Sequence, residues 1–88
     1  MPVVILRAPL RDLAGSNGEI EVAGATVGEV LRAVEVAWPR TTGWVLDEHG
    51  RVRRHVNVFL HGERVREDAP VEPSDRLHVL PSISGGAA

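Results

Sequence analysis

Apolar and polar positions change their period several times along this chain. It opens on an unbroken apolar run, Val3-Val4-Ile5-Leu6, closed by Pro9. Such a run predicts a strand buried on both faces and central in a sheet. Leu10 to Leu13 reads as a short connection, and Ser16-Asn17-Gly18 as a turn signal. Glu19-Ile20-Glu21-Val22 alternates polar with apolar, the pattern of a half-exposed strand. Two strands flanking such a turn make a hairpin. The period then becomes helical: Val27, Val30, Leu31 and Val34 recur three and four residues apart. Thr26 and Glu29 stand where a capping box needs them, the Thr hydroxyl on the N3 amide and the Glu reaching back to the cap amide. Pro39 requires the helix to end near Trp38. A helix with one apolar stripe in so small a chain must lie on a sheet.

Arg40 to Arg54 is a link of mixed charge, in which Trp44, Val45 and Leu46 are expected to tuck back under the helix as one short turn. Trp38 and Trp44 then belong to a satellite core at the helix end, and Asp47-Glu48-His49-Gly50 is loop. Period two returns at Val56-Asn57-Val58-Phe59-Leu60, with Val56, Val58 and Leu60 on one face and Asn57 and Phe59 on the other. His61-Gly62 is a tight turn, Glu63 to Arg66 a short edge strand, and Glu67 to Asp75, with two prolines, loop. Arg76 to Leu80 is the last strand: Leu77 and Val79 face one side, His78 and Leu80 the other. Pro81 has no N–H for a ladder and stops it. The order strand, strand, helix, strand, short strand, strand is the α+β arrangement called β-grasp. It implies a mixed sheet of four to five strands with one main helix. The first and last strands lie side by side and parallel at the sheet centre. Residues 1–80 form the domain and residues 81–88 a tail that projects into solvent.

Composition narrows the chemistry. Eighty-eight residues at 43% hydrophobic content make one folded domain with a small core. No run is long enough to span a membrane and no signal segment follows Met1, which places the protein in the cytoplasm. With no cysteine, disulfides, thiolate metal sites and cysteine nucleophiles are excluded. Net charge is −2, and the ten basic residues, all arginine, read as scattered, which argues against nucleic acid as a partner. His49, His55, His61 and His78 fall six and more residues apart, unlike compact zinc motifs, so no metal site is expected. Asp47-Glu48 and Glu67-Asp68 read as solvated loop charge, and no nucleophile stands with a base. The chain has no equipment of an enzyme and no cofactor of its own.

What remains is the terminus, Leu77-His78-Val79-Leu80-Pro81-Ser82-Ile83-Ser84-Gly85-Gly86-Ala87-Ala88. Gly85 and Gly86 have no Cβ and can enter a slot that any side chain would block. A frayed end is the alternative. Leu80-Pro81-Ser82-Ile83-Ser84-Gly85-Gly86 resembles the Leu-Pro-x-x-x-Gly-Gly ends of the MoaD/ThiS family of ubiquitin-like sulfur carriers. Thr26-Val27 is similar to the Thr-Val opening that family's helix, and Val56-Asn57-Val58-Phe59-Leu60-His61-Gly62 to its Val-Asn-x-Phe-x-Asn-Gly strand and turn. That strand is nearest the branch serving cysteine biosynthesis. Two departures are Ser74-Asp75 for the usual Gly-Asp, and Ala87-Ala88 after the usual final Gly-Gly.

The resemblance implies that the terminal glycine is adenylated by an E1-like, ATP-using enzyme and converted to a thiocarboxylate for a sulfur-accepting synthase. Gly86 would carry the sulfur and Gly85 give access. Ala87-Ala88 leave Gly86 in a peptide bond. Three explanations compete: a JAMM-type metalloprotease cuts between Gly86 and Ala87, the alanines are foreign to the natural chain, or the protein is a non-carrier relative. Cleavage is favoured, since small residues suit a narrow protease groove. Phe59, His78 and Leu80 share the outer sheet face and, with Ile83 on the tail, are the expected partner contacts. Isolated exposed residues would look the same. Two other readings are a modifier conjugated to target lysines through Gly86, and the small subunit of molybdopterin synthase.

Overall fold

The computed structural model describes residues 1–7, 10–14 and 18–81. In chain order the elements are β1 (Val3–Leu6), α1 (Leu10–Ala14), β2 (Glu19–Glu21), α2 (Val27–Ala37), a 3-10 turn at Pro39–Thr41, β3 (Val56–Leu60), β4 (Glu63–Val65) and β5 (Arg76–Pro81). The five strands form one mixed sheet in the order β2-β1-β5-β3-β4. β1 and β5 pair in parallel, Val4 against Leu77 and Leu6 against Val79, while β1–β2, β3–β4 and β3–β5 are antiparallel. The strand entered first and the strand entered last are therefore neighbours, as a helical crossover demands.

Strand parity builds the core. Val4 and Leu6, Val56, Val58 and Leu60, and Leu77 and Val79 are buried, and α2 lays Val27, Val30, Leu31 and Val34 on the face they share. β1 is not buried on both faces: Val3 and Ile5 are only half-buried. Its continuous apolar run signals a central place in the sheet, but among the described residues no layer covers the second face.

α2 is fixed at both ends as the sequence predicts. Thr26 is the N-cap and its Oγ1 accepts from the Glu29 amide at 3.2 Å. Glu29 Oε1 reaches one residue further back than a capping box requires, to the Ala25 amide at 2.9 Å. The cap amide's neighbours are served by the 67–69 loop: Val27 N donates to the Ala69 carbonyl and Gly28 N to the Glu67 carbonyl, both at 2.9 Å. Three of the otherwise unpaired first-turn donors are thereby satisfied. The helix stops at Ala37, before Pro39.

Three expectations are corrected. Leu10 to Leu13 is not a plain connection but the start of α1, anchored by Leu10 at 1% exposure. A five-residue helix is too short to be stable alone, so its cue is tertiary. Trp44 does not tuck beneath α2: Val45 and Leu46 take the buried places and Trp44 is 46% exposed. Glu35, for which the sequence carries no expectation, is buried, its carboxylate accepting from the Gly43 amide and facing Arg32. Pro81 does not halt β5 at Leu80 but is its last residue, opposite Val56. Among the described residues no helix is long and apolar enough to cross a membrane.

Candidate functional site

The uncovered face of the sheet carries the candidate surface. Register places Glu19, Ile5, His78, Phe59 and Arg64 in one row across all five strands. A second row holds Glu21, Val3 and Arg76, and Leu80 lies opposite Asn57 in a third. Val3, Ile5, Asn57, Phe59, His78 and Leu80 are all half-buried. The sequence-predicted residues Phe59, His78 and Leu80 are thus brought together, with Phe59 and His78 directly paired. Sequence reasoning missed Val3 and Ile5, because it read β1 as buried on both sides. Their signal was available: a strand parallel to β5 shares its parity.

The row is electrically polar. Glu19 and Glu21 stand on the β2 edge, with Arg76 Nη2 at 3.7 Å from Glu19 Oε1, and Arg64 on the β4 edge. The arginines are not scattered either. Arg51, Arg53, Arg54, Arg64 and Arg66, half of the ten, line one hollow together with His55. The separation between the 51–55 stretch and β4 hid this in the linear pattern. The concentration of five arginines within sixteen consecutive residues was the cue.

The site's frame is held by carboxylates that read as solvated loop charge. Glu67 Oε1 accepts from the Val52 amide at 2.7 Å, and that hydrogen bond holds its carboxyl below the usual range. Asp47 Oδ1 accepts from the His49 and Arg51 amides at 2.8 and 3.0 Å, and the Arg51 amide chiefly lowers its pKa. Asp75 is buried, accepts from the Glu72 amide at 2.8 Å, and lies 3.1 Å from His61 Nε2. It thereby ties the turn before β5 to the turn between β3 and β4. That second turn has two left-handed residues, His61 (φ 55) and Gly62 (φ 79), as a two-residue hairpin of this hand requires. His61 and His78 share a hollow of about 300 Å³ with Asp75, yet no group of three ligating side chains could hold a metal ion among the described residues.

β5 ends at Pro81, opposite Val56 and so one residue from His55. The expected tail positions Ile83, Gly85, Gly86 and Ala87 lie outside the described residues.

Comparison with known proteins gives one consistent result. The ThiS family pattern matches residues 4–86. Small archaeal modifier protein 1 of Haloferax volcanii is 35% identical over 83 residues, 92% of this chain and 95% of the relative. The crystal structure of that organism's SAMP1 superposes with a TM-score of 0.81 at 33% identity, covering 97% of this chain and 98% of the other. The Amycolatopsis orientalis BexX/CysO complex contains a chain that superposes with a TM-score of 0.86 at 28% identity, covering 94% of this chain and 97% of that one. With the sheet order, the crossover helix and a match running from β1 to the second glycine, the chain belongs to the ThiS family and has its ubiquitin-like β-grasp fold.

Proposed function

We propose that this protein is a sulfur carrier whose working group is the α-carboxylate of Gly86. One observation carries the reading: the family match reaches residue 86, five residues beyond the end of β5, a strand of the half-buried sheet face. A carboxylate resists nucleophiles because its leaving group is poor. An activating enzyme overcomes this by letting the Gly86 carboxylate attack the α-phosphate of ATP, with pyrophosphate leaving. A sulfide equivalent then adds to the acyl carbon and AMP departs, leaving a thiocarboxylate. That group is ionised at neutral pH and can be offered to an acceptor enzyme without release of free sulfide. The chain's own part is to dock and to present. Val3, Ile5, Phe59, His78 and Leu80 supply the docking face, and the side-chain-free Gly85-Gly86 tip supplies access.

The chemistry needs a free carboxylate on Gly86, so whatever follows it must be removed. Ala87-Ala88 are small enough for the narrow groove of a JAMM-type metalloprotease. The relative named as a modifier supports a second reading, in which the same adenylate is passed to a lysine amine of a target protein. With no lysine of its own, the chain cannot form lysine-linked chains with itself.

Intact-protein mass spectrometry tests the proposal. With ATP and an activating enzyme, the form ending at Gly86 should gain an adenylate, and a sulfur donor should exchange one oxygen for sulfur. The 88-residue form should do neither. Equal activation of both forms refutes processing, activation of neither refutes the carrier reading, and covalent adducts on lysines without sulfur exchange favour the modifier.

A further inference from the structure

We propose that the arginine-rich hollow beside the root of the tail is a docking site for an acidic segment of the protein that takes up the tail. This rests on the carrier reading for the identity of the partner, but not for the existence of the site. The hollow, of about 440 Å³, is lined by Arg51, Arg53, Arg54, His55, Arg64 and Arg66 over a floor that includes Val52. Asp47 is the carboxylate in the lining, and its Oδ1 is already engaged by two amides of its own loop. Arg66 faces Glu67 at 3.5 Å, while Arg51, Arg53, Arg54 and Arg64 have no ion-pair partner among the described residues. The Nε of Arg53 is buried without a hydrogen-bond partner. A buried guanidinium N–H left unpaired is costly, and a shift of the Arg53 side chain toward an incoming anion would relieve that cost. So many like charges around one hollow, in a chain of net charge −2, are held against mutual repulsion and are stabilised when anions are brought to them.

Position identifies the occupant. His55 follows Arg53 and Arg54 directly and precedes Val56, the partner of Pro81, so the hollow opens where the tail leaves the sheet. Arg64 also ends the row Glu19–Ile5–His78–Phe59–Arg64, which makes the hollow continuous with the candidate docking face. A protein gripping the tail and covering that face would cover the hollow too. Carboxylates suit it, since guanidinium binds them in planar, two-pronged pairs. A nucleic acid is disfavoured because the lining has no Phe, Tyr or Trp on which a base could stack, His55 being its one ring. A phosphate site is disfavoured because no helix N-terminus opens into the hollow, and the Arg51 amide already donates to Asp47. The same charges explain orientation: an acidic partner edge is drawn to β4 and repelled from Glu19 and Glu21 on β2.

The test is a titration of the full chain, isotopically labelled, with a hexaglutamate peptide, read at the arginine Nε–H signals by NMR. Arg53 and Arg64 should shift together and saturably, with affinity falling about tenfold between low and physiological salt. Arg53→Gln with Arg64→Gln should abolish the shifts that the peptide causes at the remaining Nε–H signals of the hollow, those of Arg51, Arg54 and Arg66, in a chain whose amide spectrum is otherwise unchanged. Arg53→Lys should recover only part of the binding, because it restores charge but not the planar fork. The proposal is overturned if the peptide leaves these signals unmoved or shifts them only outside the hollow. It is equally overturned if tripolyphosphate or a single-stranded RNA of matched charge binds the hollow about tenfold more tightly than the peptide, which would make it a phosphate site. With an activating enzyme, the double variant trimmed to Gly86 should lose about tenfold in kcat/KM and keep its kcat. Failure of the carrier reading shows separately, as a trimmed wild-type chain that is never adenylated while the peptide still binds.

Discussion

At the scale of single residues, the informative groups are carboxylates aimed at backbone amides. Glu67 joins three segments: its side chain holds the Val52 amide, its carbonyl accepts from Gly28 at the start of α2, and it neighbours Arg66 in the hollow. Nothing in a loop pair Glu67-Asp68 announces this, because the partner amide lies fifteen residues away. The hydrogen bond lowers the folded-state pKa of Glu67 below its ordinary value of 4.5. A lowered pKa means that the unfolded chain binds the proton more readily. The bond's stabilisation is therefore fully present above about 4.5, the unfolded-state value, and is lost as pH falls through the lower folded-state value. Glu67→Gln keeps an acceptor and removes the charge. Because a quarter of the side chain is exposed and water screens it, the expected cost at neutral pH is about 1 kcal/mol. Denaturant unfolding of both forms at neutral pH and at pH 3 checks this: the difference should shrink in acid. A difference independent of pH would show that packing, not charge, is what Glu67 contributes.

At the scale of elements, what could be read in advance were features whose cause is local in sequence. Thr26, Glu29 and Pro39 set the ends of α2 through neighbours four or fewer residues away. The alternation in β3 and β5 put Phe59, His78 and Leu80 on one face before any partner strand was known. What the local pattern alone missed depended on contact between distant segments. Leu10 nucleates α1 only because the core receives it. The arginine hollow exists only when the 51–55 stretch is folded against β4. Val3 and Ile5 join the docking face only because β1 lies parallel to β5. The parity of that face yields a prediction. Phe59 and Leu80 are half-buried and point away from α2. Phe59→Ala and Leu80→Asp should thus cost about 1 kcal/mol of stability each, well short of the loss for a core residue. Both should weaken binding to an activating enzyme by about tenfold or more, since large apolar anchors dominate interfaces. Calorimetric melting alongside a binding titration separates the two effects. Unfolding of either variant would place these side chains in the core and remove them from the docking face.

At the scale of the whole molecule, the described core and the glycine pair that the proposed function would activate belong to different stretches of chain. The buried core runs from Val4 to Val79, and the last ladder pair is Val56 with Pro81. Every residue of the docking face and of the arginine hollow also lies at or before Leu80. A chain ending at Pro81 should therefore fold with an unchanged melting temperature, since no buried apolar side chain of the described core is lost with residues 82–88. Under the proposed function it should also keep the docking surface while lacking the carboxylate to be activated. The expected behaviour is that of a competitive inhibitor. Added to an activation assay of the form ending at Gly86, the Pro81-ended chain should raise the apparent KM and leave kcat unchanged. Its inhibition constant should lie within about tenfold of that KM, the difference being the tail's own contacts. Three results would count against this division. Loss of folding would mean that the tail packs on the domain. Absence of inhibition would mean that recognition resides in the tail and that the sheet face and the hollow are bystanders. Inhibition that lowers kcat would mean that the body acts in a step after docking. Adding Phe59→Ala to the shortened chain should remove most of its inhibitory power, which ties the competition to the row of side chains crossing the sheet.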